Sequence, residues 1–220
     1  MTDDELTFFD PRGEVRMHRN RLPHWQQEHA TYFVTWHLAD SLPREILERW
    51  DDARDAWLRL HPPPWTAAQQ DEFQRLFRLP VEKWLDELHG ECVLRAPAAA
   101  AIVAETLGHF DQVQYRHHAW IVMPNHVHVL FSLEPGHALE KVLKAWKGVS
   151  ARRINTASNR TGSTLWQKDY FDRLIRDREH FWNVARYIRR NPGRANLRAG
   201  ECLAYESDKV REVLDFLDGL

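Results

Sequence analysis

A chain of 220 residues, 43% apolar and 28% charged, has the composition of a soluble globular protein with ample core. It has no apolar run long enough to span a membrane, and its start, Met1 to Leu6, lacks the basic and apolar regions of a signal peptide. A formal net charge of −2 does not by itself announce a nucleic-acid partner.

Distribution says more than the total. From Lys141 to Arg198 there are 15 Lys/Arg against 4 Asp/Glu, whereas residues 40–91 hold 7 basic and 12 acidic side chains and residues 201–220 hold 2 and 6. A basic block between acidic flanks reads as a candidate phosphate-binding surface or as a set of solvated helix faces. Cys92 and Cys202 lie far apart without CxxC spacing and read as free thiols of a reducing cytosol.

Taken in order, residues 1–30 are polar and irregular, with Arg12, Arg16, His18, Arg19 and Arg21 ahead of Leu22-Pro23-His24-Trp25. They read as an arm or a frayed terminus. Thr31–Leu38 is β-branched and aromatic and predicts a strand, with Thr31, Phe33, Thr35 and His37 on one face. Ser41 and Pro43 predict a helix start, with Ser41 as N-cap, and the helix ends at His61-Pro62-Pro63-Pro64. Thr66 caps a second predicted helix to Leu79, and 81–89 form a third, so 41–95 read as a helical insertion. Pro97–Phe110 is a strong helix former.

Ala119–Met123, the turn Pro124-Asn125 and His126–Leu133 predict a β-hairpin. Leu139–Asn155 is a helix with an apolar stripe from Leu139 to Ile154, and Leu165–Ile175 is extended and partly strand. Asp177 and Arg178 open a helix running to Arg190, stopped by Asn191-Pro192-Gly193, and 208–217 form a short terminal helix. Without the insertion the order is β-α-β-β-α-β, then a helix. That is an α+β, ferredoxin-like arrangement with an antiparallel sheet.

Two stretches carry chemistry. His126 and His128 project from one face of a strand and can bind one metal ion; equally, they fit the wet face of a half-exposed strand. Tyr187 and Asn191 are four apart on a helix, hence one above the other, on the polar face with His180 and Asn183 and beside Arg186, Arg189 and Arg190. Tyr187 also fits a boundary tyrosine, and Asn191 a helix terminator. Two imidazoles and an amide oxygen can hold a divalent cation with positions left open, and a phenol beside it can attack phosphorus. His117 and His118 are adjacent on a strand and point opposite ways, so they cannot form one site. Tyr170 lacks an amide at helical spacing and reads as structural.

Met123-Pro124-Asn125-His126-Val127-His128-Val129-Leu130 resembles the HUH motif (two His around a hydrophobic residue) of the single-tyrosine transposases of the IS200-like superfamily. Tyr187-Ile188-Arg189-Arg190-Asn191-Pro192 resembles their nucleophile helix, and Trp166–Arg173 and Lys147-Gly148 resemble the segments between. Leu22–Trp25 and Asp40–Pro43 are similar to the REP-associated tyrosine transposases within that superfamily. The resemblance covers about residues 20–200 and implies a single HUH domain over 1–220. In that domain 1–30 would be a DNA-contacting arm, 41–95 an insertion without clear role in the chemistry, and 201–220 a tail helix.

It further implies that His126, His128 and Asn191 hold Mg2+ or Mn2+. Tyr187 would be the catalytic nucleophile, forming a 5′-phosphotyrosine and freeing a 3′-OH. The substrate would be single-stranded DNA near a palindromic hairpin. The expected DNA contacts are Arg16, Arg19, Arg21, His24, Trp25, Lys144, Lys147, Arg152, Arg153, Arg173, Arg186 and Arg190. Such a protein would be bacterial and cytoplasmic, nucleoid-associated when bound, and monomer and homodimer read alike. A hairpin-binding regulator with little catalysis is the alternative.

Overall fold

A computed structural model describes residues 6–19, 23–63 and 65–219. Five strands form one antiparallel sheet: β3 (Thr31–His37), β4 (Tyr115–Val122), β5 (His126–Leu133), β6 (Phe171–Leu174) and β7 (Leu203–Glu206). Their spatial order is β6-β3-β5-β4-β7. The first four strands follow the ferredoxin-like order, with helices α4 (Pro97–Gly108) and α5 (Leu139–Ala157) as the two crossovers. The fifth strand, β7, was not expected. It is four residues long and adds to the free edge of β4 through pairs such as Trp120↔Tyr205.

The two faces of the sheet have different partners. Tyr32, Val34 and Trp36 of β3 join Val127, Val129 and Phe131 of β5, and α4 and α5 bury this face through Val103, Leu107, Val142 and Trp146. The odd residues of β3 point the other way. There Phe33, Leu130, Ala119 and Ile121 receive α6 (Arg178–Arg194) through Phe181, Val184, Ala185 and Ile188, with α7 (Asp208–Asp218) adding Val210 and Leu214. Every residue of β5 is buried as a result. The wet strand face that the His-Val alternation allowed does not exist.

The insertion is built around its own aromatic cluster. Helix α1 (Arg44–Leu60) places Trp50 and Trp57 against Trp65, Phe73 and Phe77. Thr66 caps α2 (Ala67–Phe73) in a reciprocal capping box with Gln69, as predicted. Ser41 caps nothing. Its hydroxyl bonds the Leu38 carbonyl and sits 2.6 Å from His37 Nδ1, and Pro43 holds the N-cap position of α1. Between α2 and α3 (Leu79–Asp86) the chain widens into one π turn, Gln74–Arg78. Pro80 follows after Leu79, and a proline that cannot donate to the preceding turn favours such a widening. The turn directs Arg78 inward, where its side chain is 4% exposed. Leu85 and the end of α3 then reach the His-bearing edge of the sheet.

Residues 16–19 and 23–26 are not irregular: β1 (Arg16–Arg19) and β2 (Pro23–Gln26) pair as a two-stranded ribbon. Helix α6 does not stop at Asn191 but runs to Arg194 with Pro192 inside it. A proline so near the end of a helix costs only one backbone bond, and the last turn closes with Ala195 N to Asn191 O and Leu197 N to Pro192 O. Asn191 is thereby a helical residue aimed at the sheet. Among the described residues no helix is long and apolar enough to cross a membrane.

Candidate active site

His126 and His128 stand side by side on β5, ring centroids 4.6 Å apart, and both are buried. Each imidazole is held at Nδ1. Asn125 Oδ1 lies 2.7 Å from Nδ1 of His126, and Thr35 Oγ1 lies 2.7 Å from Nδ1 of His128. Thr35 is there because β3 and β5 pair in that register. Asn125 is fixed in turn, since its Nδ2 donates to the Leu85 and His89 carbonyls at the end of α3. An amide oxygen only accepts, so His126 carries its proton on Nδ1 and presents a bare lone pair at Nε2. Burial and the neighbouring His37 push the His126 pKa down to about 3, and burial and His126 push that of His128 well below the usual range. Both rings are neutral at pH 7.

Helix α6 brings Tyr187 and Asn191 over the pair. Tyr187 Oη is 3.5 Å from His128 Nε2, and the two rings are 5.3 Å apart. Phe33 lies edge-on to the phenol at 5.9 Å and stacks on His128 at 5.4 Å. Asn191 is fully buried; neither its Oδ1 nor its Nδ2, nor the buried His126 Nε2, has a hydrogen bond of good geometry, although the amide lies close enough to His126 and Tyr187 to act on both. Three orphaned polar atoms at one place cost free energy in the bare protein, on the order of 1–3 kcal/mol each. Nitrogen lone pairs and an amide oxygen are donors that suit a divalent cation. Among the described residues no group of three or more His, Cys, Asp and Glu side chains gathers as a metal site, so any ion here would rest on two imidazoles and an amide.

The insertion closes the site from the side. Asp86 Oδ2 pairs with Arg194 Nη2 at 3.1 Å, and the Arg194 guanidinium lies 5.0 Å from the Tyr187 ring centroid. Asp86 Oδ1 is buried without a partner, and burial raises its pKa. Burial, with Glu82 and Asp86 adding to it, pushes the Tyr187 phenol above its ordinary value, so the phenol keeps its proton at neutral pH. Thr35, Asn125, Asp86 and Arg194 are contributors that sequence reasoning missed. Asn125 read as turn chemistry, and nothing near it in the chain marks carbonyls 36 and 40 residues away as its partners.

The expected DNA contacts fall into different settings. His24 is fully buried between Asp172 at 2.5 Å and Asp169 at 3.1 Å and stacked on Tyr170, so it is not on the surface. Trp25 packs against Trp65. Lys147 donates to the Lys168 and Asp169 carbonyls, Arg153 pairs with Glu105 and Arg190 with Asp218. Arg186 reaches only Asn183, and Arg173 lies half-buried on the site face of β6. Lys144 and Arg152 are exposed on α5. Arg21 lies outside the described residues, as do the side chains of Arg16 and Arg19. The acidic flanks neutralise much of the basic block: Arg160 meets Glu91, Arg176 meets Asp71, and Arg189 meets Glu206, Asp215 and Asp218. His118 and His117 do point opposite ways, His118 to Phe181 and His117 to Trp146.

Comparison with known proteins locates this constellation. The family model of IS200-like transposases matches residues 99–191, a segment that starts in α4 and ends on Asn191. The ISDra2 transposase TnpA of Deinococcus radiodurans is 47% identical over 45 residues, 20% of this chain and 32% of that protein. The chain thus covers about a third of that relative's length. A REP-associated tyrosine transposase bound to a REP hairpin aligns at 14% identity and a TM-score of 0.39, over 77% of this chain and 70% of the other. A putative transposase from Deinococcus radiodurans aligns at 18% identity and a TM-score of 0.33, over 83% and 97%. Residues 99–191, from α4 to Asn191, are thus the part of the chain that is similar to the IS200-like transposases.

Proposed function

We propose that the protein nicks and rejoins single-stranded DNA at palindromic hairpins, with Tyr187 as nucleophile. The observation that carries this reading is the Tyr187 hydroxyl facing a pair of neutral, buried imidazoles beside the orphaned amide of Asn191. The hairpin preference follows the resemblance of Leu22–Trp25 and Asp40–Pro43. His126 and His128 through Nε2, and Asn191 through Oδ1, would hold Mg2+ or Mn2+. When bound, such an ion offsets the charge that builds on phosphorus-bound oxygens during attack.

The remaining work falls to the chain itself. Thr35 and Asn125 hold the imidazoles by Nδ1, as outer partners of ligand histidines do. Tyr187 Oη forms the bond to phosphorus, the bond to the 3′ oxygen breaks, and that oxygen leaves with the bonding pair and takes a proton from solvent to become the 3′-OH. The bond energy stays in the 5′-phosphotyrosine for rejoining. The phenol must lose its proton, and we assign Asp86 as the acceptor: its charge acts on Tyr187, its Oδ1 has no partner, and a buried carboxylate is more basic than an exposed one. Arg194, over the ring, stabilises the phenolate.

The test incubates labelled single-stranded DNA carrying a hairpin with the protein and manganese. A covalent protein–DNA adduct is expected, absent in Tyr187→Phe. An adduct that persists in Tyr187→Phe would show that the nucleophile lies elsewhere, and hairpin binding without any adduct would favour a regulatory binder. In the same assay Asp86→Asn is expected to slow adduct formation by about 100-fold. An unchanged rate would remove Asp86 as proton acceptor.

A further inference from the structure

Beyond the phenol, along α6 toward its start, the same sheet face holds a second set of polar groups. Arg173 pairs with Phe33 across β6 and β3 and so shares its face with Phe33. The guanidinium of Arg78, from the π turn of the insertion, lies 4.9 Å from the Phe33 ring centroid. Arg78 is matched by Glu82 at 3.0 Å and Arg176 by Asp71 at 3.2 Å, which leaves Arg173 without an ion pair among the described residues. Its Nε–H is buried and donates to nothing. His180 makes a second such donor. Its Nδ1 accepts the Arg176 N–H at 3.2 Å, so the proton of the neutral ring sits on Nε2, which is buried and unpartnered. Burial, with Arg173 as the strongest charge acting on it, holds His180 down at about 4, so the ring is neutral at pH 7. Burial and Arg78 likewise bring Arg173 down to about 10, short of its full basicity.

Two buried N–H donors lack an acceptor, and the charges acting most strongly on His180 are the cations Arg173 and Arg176, ahead of the carboxylate of Asp177. An anionic oxygen is the acceptor that each of them lacks. We propose that Arg173 and His180, backed by Arg78, form a subsite for a nucleic-acid backbone phosphate flanking the nicking centre. The proposal rests on the nicking reading for the identity of the strand. His180 precedes Tyr187 by two turns, about 10 Å along the helix axis, so the phosphate held here is a neighbour of the one attacked. Phe33 touches both places, with Arg78 on one side and Tyr187 and His128 on the other. The insertion thereby acquires a part in substrate binding through Arg78.

The test measures binding of single-stranded oligothymidylate to protein carrying Tyr187→Phe, which needs no cleavage. Adding Arg173→Gln is expected to weaken binding about tenfold and to lower the salt slope by about one. Adding His180→Phe should weaken it as well, and the pair together by less than the product, since both hold one phosphate. Arg173→Gln removes the unsatisfied Nε–H; His180→Phe removes the unsatisfied Nε2–H and also the acceptor of the Arg176 N–H, so melting temperatures of both variants serve as the folding control. In 15N-histidine spectra oligothymidylate should shift the His180 Nε2–H signal, and Arg173→Gln should abolish that shift. Unchanged affinity and salt slope in both folded variants overturn the subsite. So does a His180 signal that inorganic phosphate shifts and oligothymidylate does not. If wild type forms no adduct with any hairpin while these variants still lose affinity, the nicking reading fails and the subsite stands.

Discussion

Asn191→Leu is expected to melt at a higher temperature than the parent protein and to form no covalent adduct with DNA. The two halves of this result have one cause. Asn191 is fully buried on α6, and both atoms of its amide lack hydrogen bonds. Leucine has the same branching and no polar atoms, so the exchange removes a desolvation cost on the order of 1–3 kcal/mol without opening a cavity, and the larger methyls take up the space left at the unpaired amide. For a chain of this size each kcal/mol shifts the midpoint by about 2–4 °C. The same exchange removes the proposed oxygen ligand, so manganese should no longer raise the melting temperature of the variant as it raises that of the parent. Asn191→Asp is the informative companion, because it restores an oxygen donor and adds charge. Thermal melts with and without manganese, beside the adduct assay, give all the readouts. A lower melting temperature for Asn191→Leu would mean that Asn191 is satisfied in solution and serves packing. An adduct formed at the parent's rate would remove it from the site.

Such a trade between stability and function explains which parts of the site could be read from sequence. Faces follow from period alone. The alternation in Thr31–His37 and His126–Leu133 places His126 and His128 together, and the spacing of Tyr187 and Asn191 places them one above the other. What covers a face does not follow from period. Val-His alternation describes a wet strand face as well as a buried one, and here α6 and the end of the insertion cover it. Leu203–Glu206 carries little strand signal because it is short and largely exposed, and it is a strand only because β4 offers a free edge. Asp86 looks like any acid of an amphipathic helix until Arg194, more than a hundred residues on, is set against it. The basic block misleads for a related reason. Its charges are local in sequence, but the acids that neutralise them come from the insertion and the tail, so net charge by segment overstates the free positive surface.

The second large effect concerns His24, whose Arg/His-rich surroundings in sequence suggested a DNA contact. Its imidazole is buried between Asp169 and Asp172, and those two carboxylates, working against burial, raise its pKa to about 9. It ties β2 of the N-terminal ribbon to the segment leading into β6. The folded-state value lies above the unfolded value of 6.5, so the contribution to stability is fully present below pH 6.5 and is lost as pH rises through about 9. The shift corresponds to about 3 kcal/mol. Lys147, beside the Asp169 carbonyl, works in the opposite sense. Burial lowers it to about 8, so above that pH the unfolded chain binds the extra proton and stability gains. Denaturant unfolding from pH 6 to 9, read as the difference between the parent and His24→Gln, separates the two, since Lys147 is present in both. The parent is expected to lose its advantage over the variant progressively across this window. At pH 6 that advantage should be about 3–5 kcal/mol, because removing the cation leaves two buried carboxylates facing each other. A difference that does not change with pH would show that His24 is neutral in the folded protein and holds the ribbon by packing on Tyr170 alone.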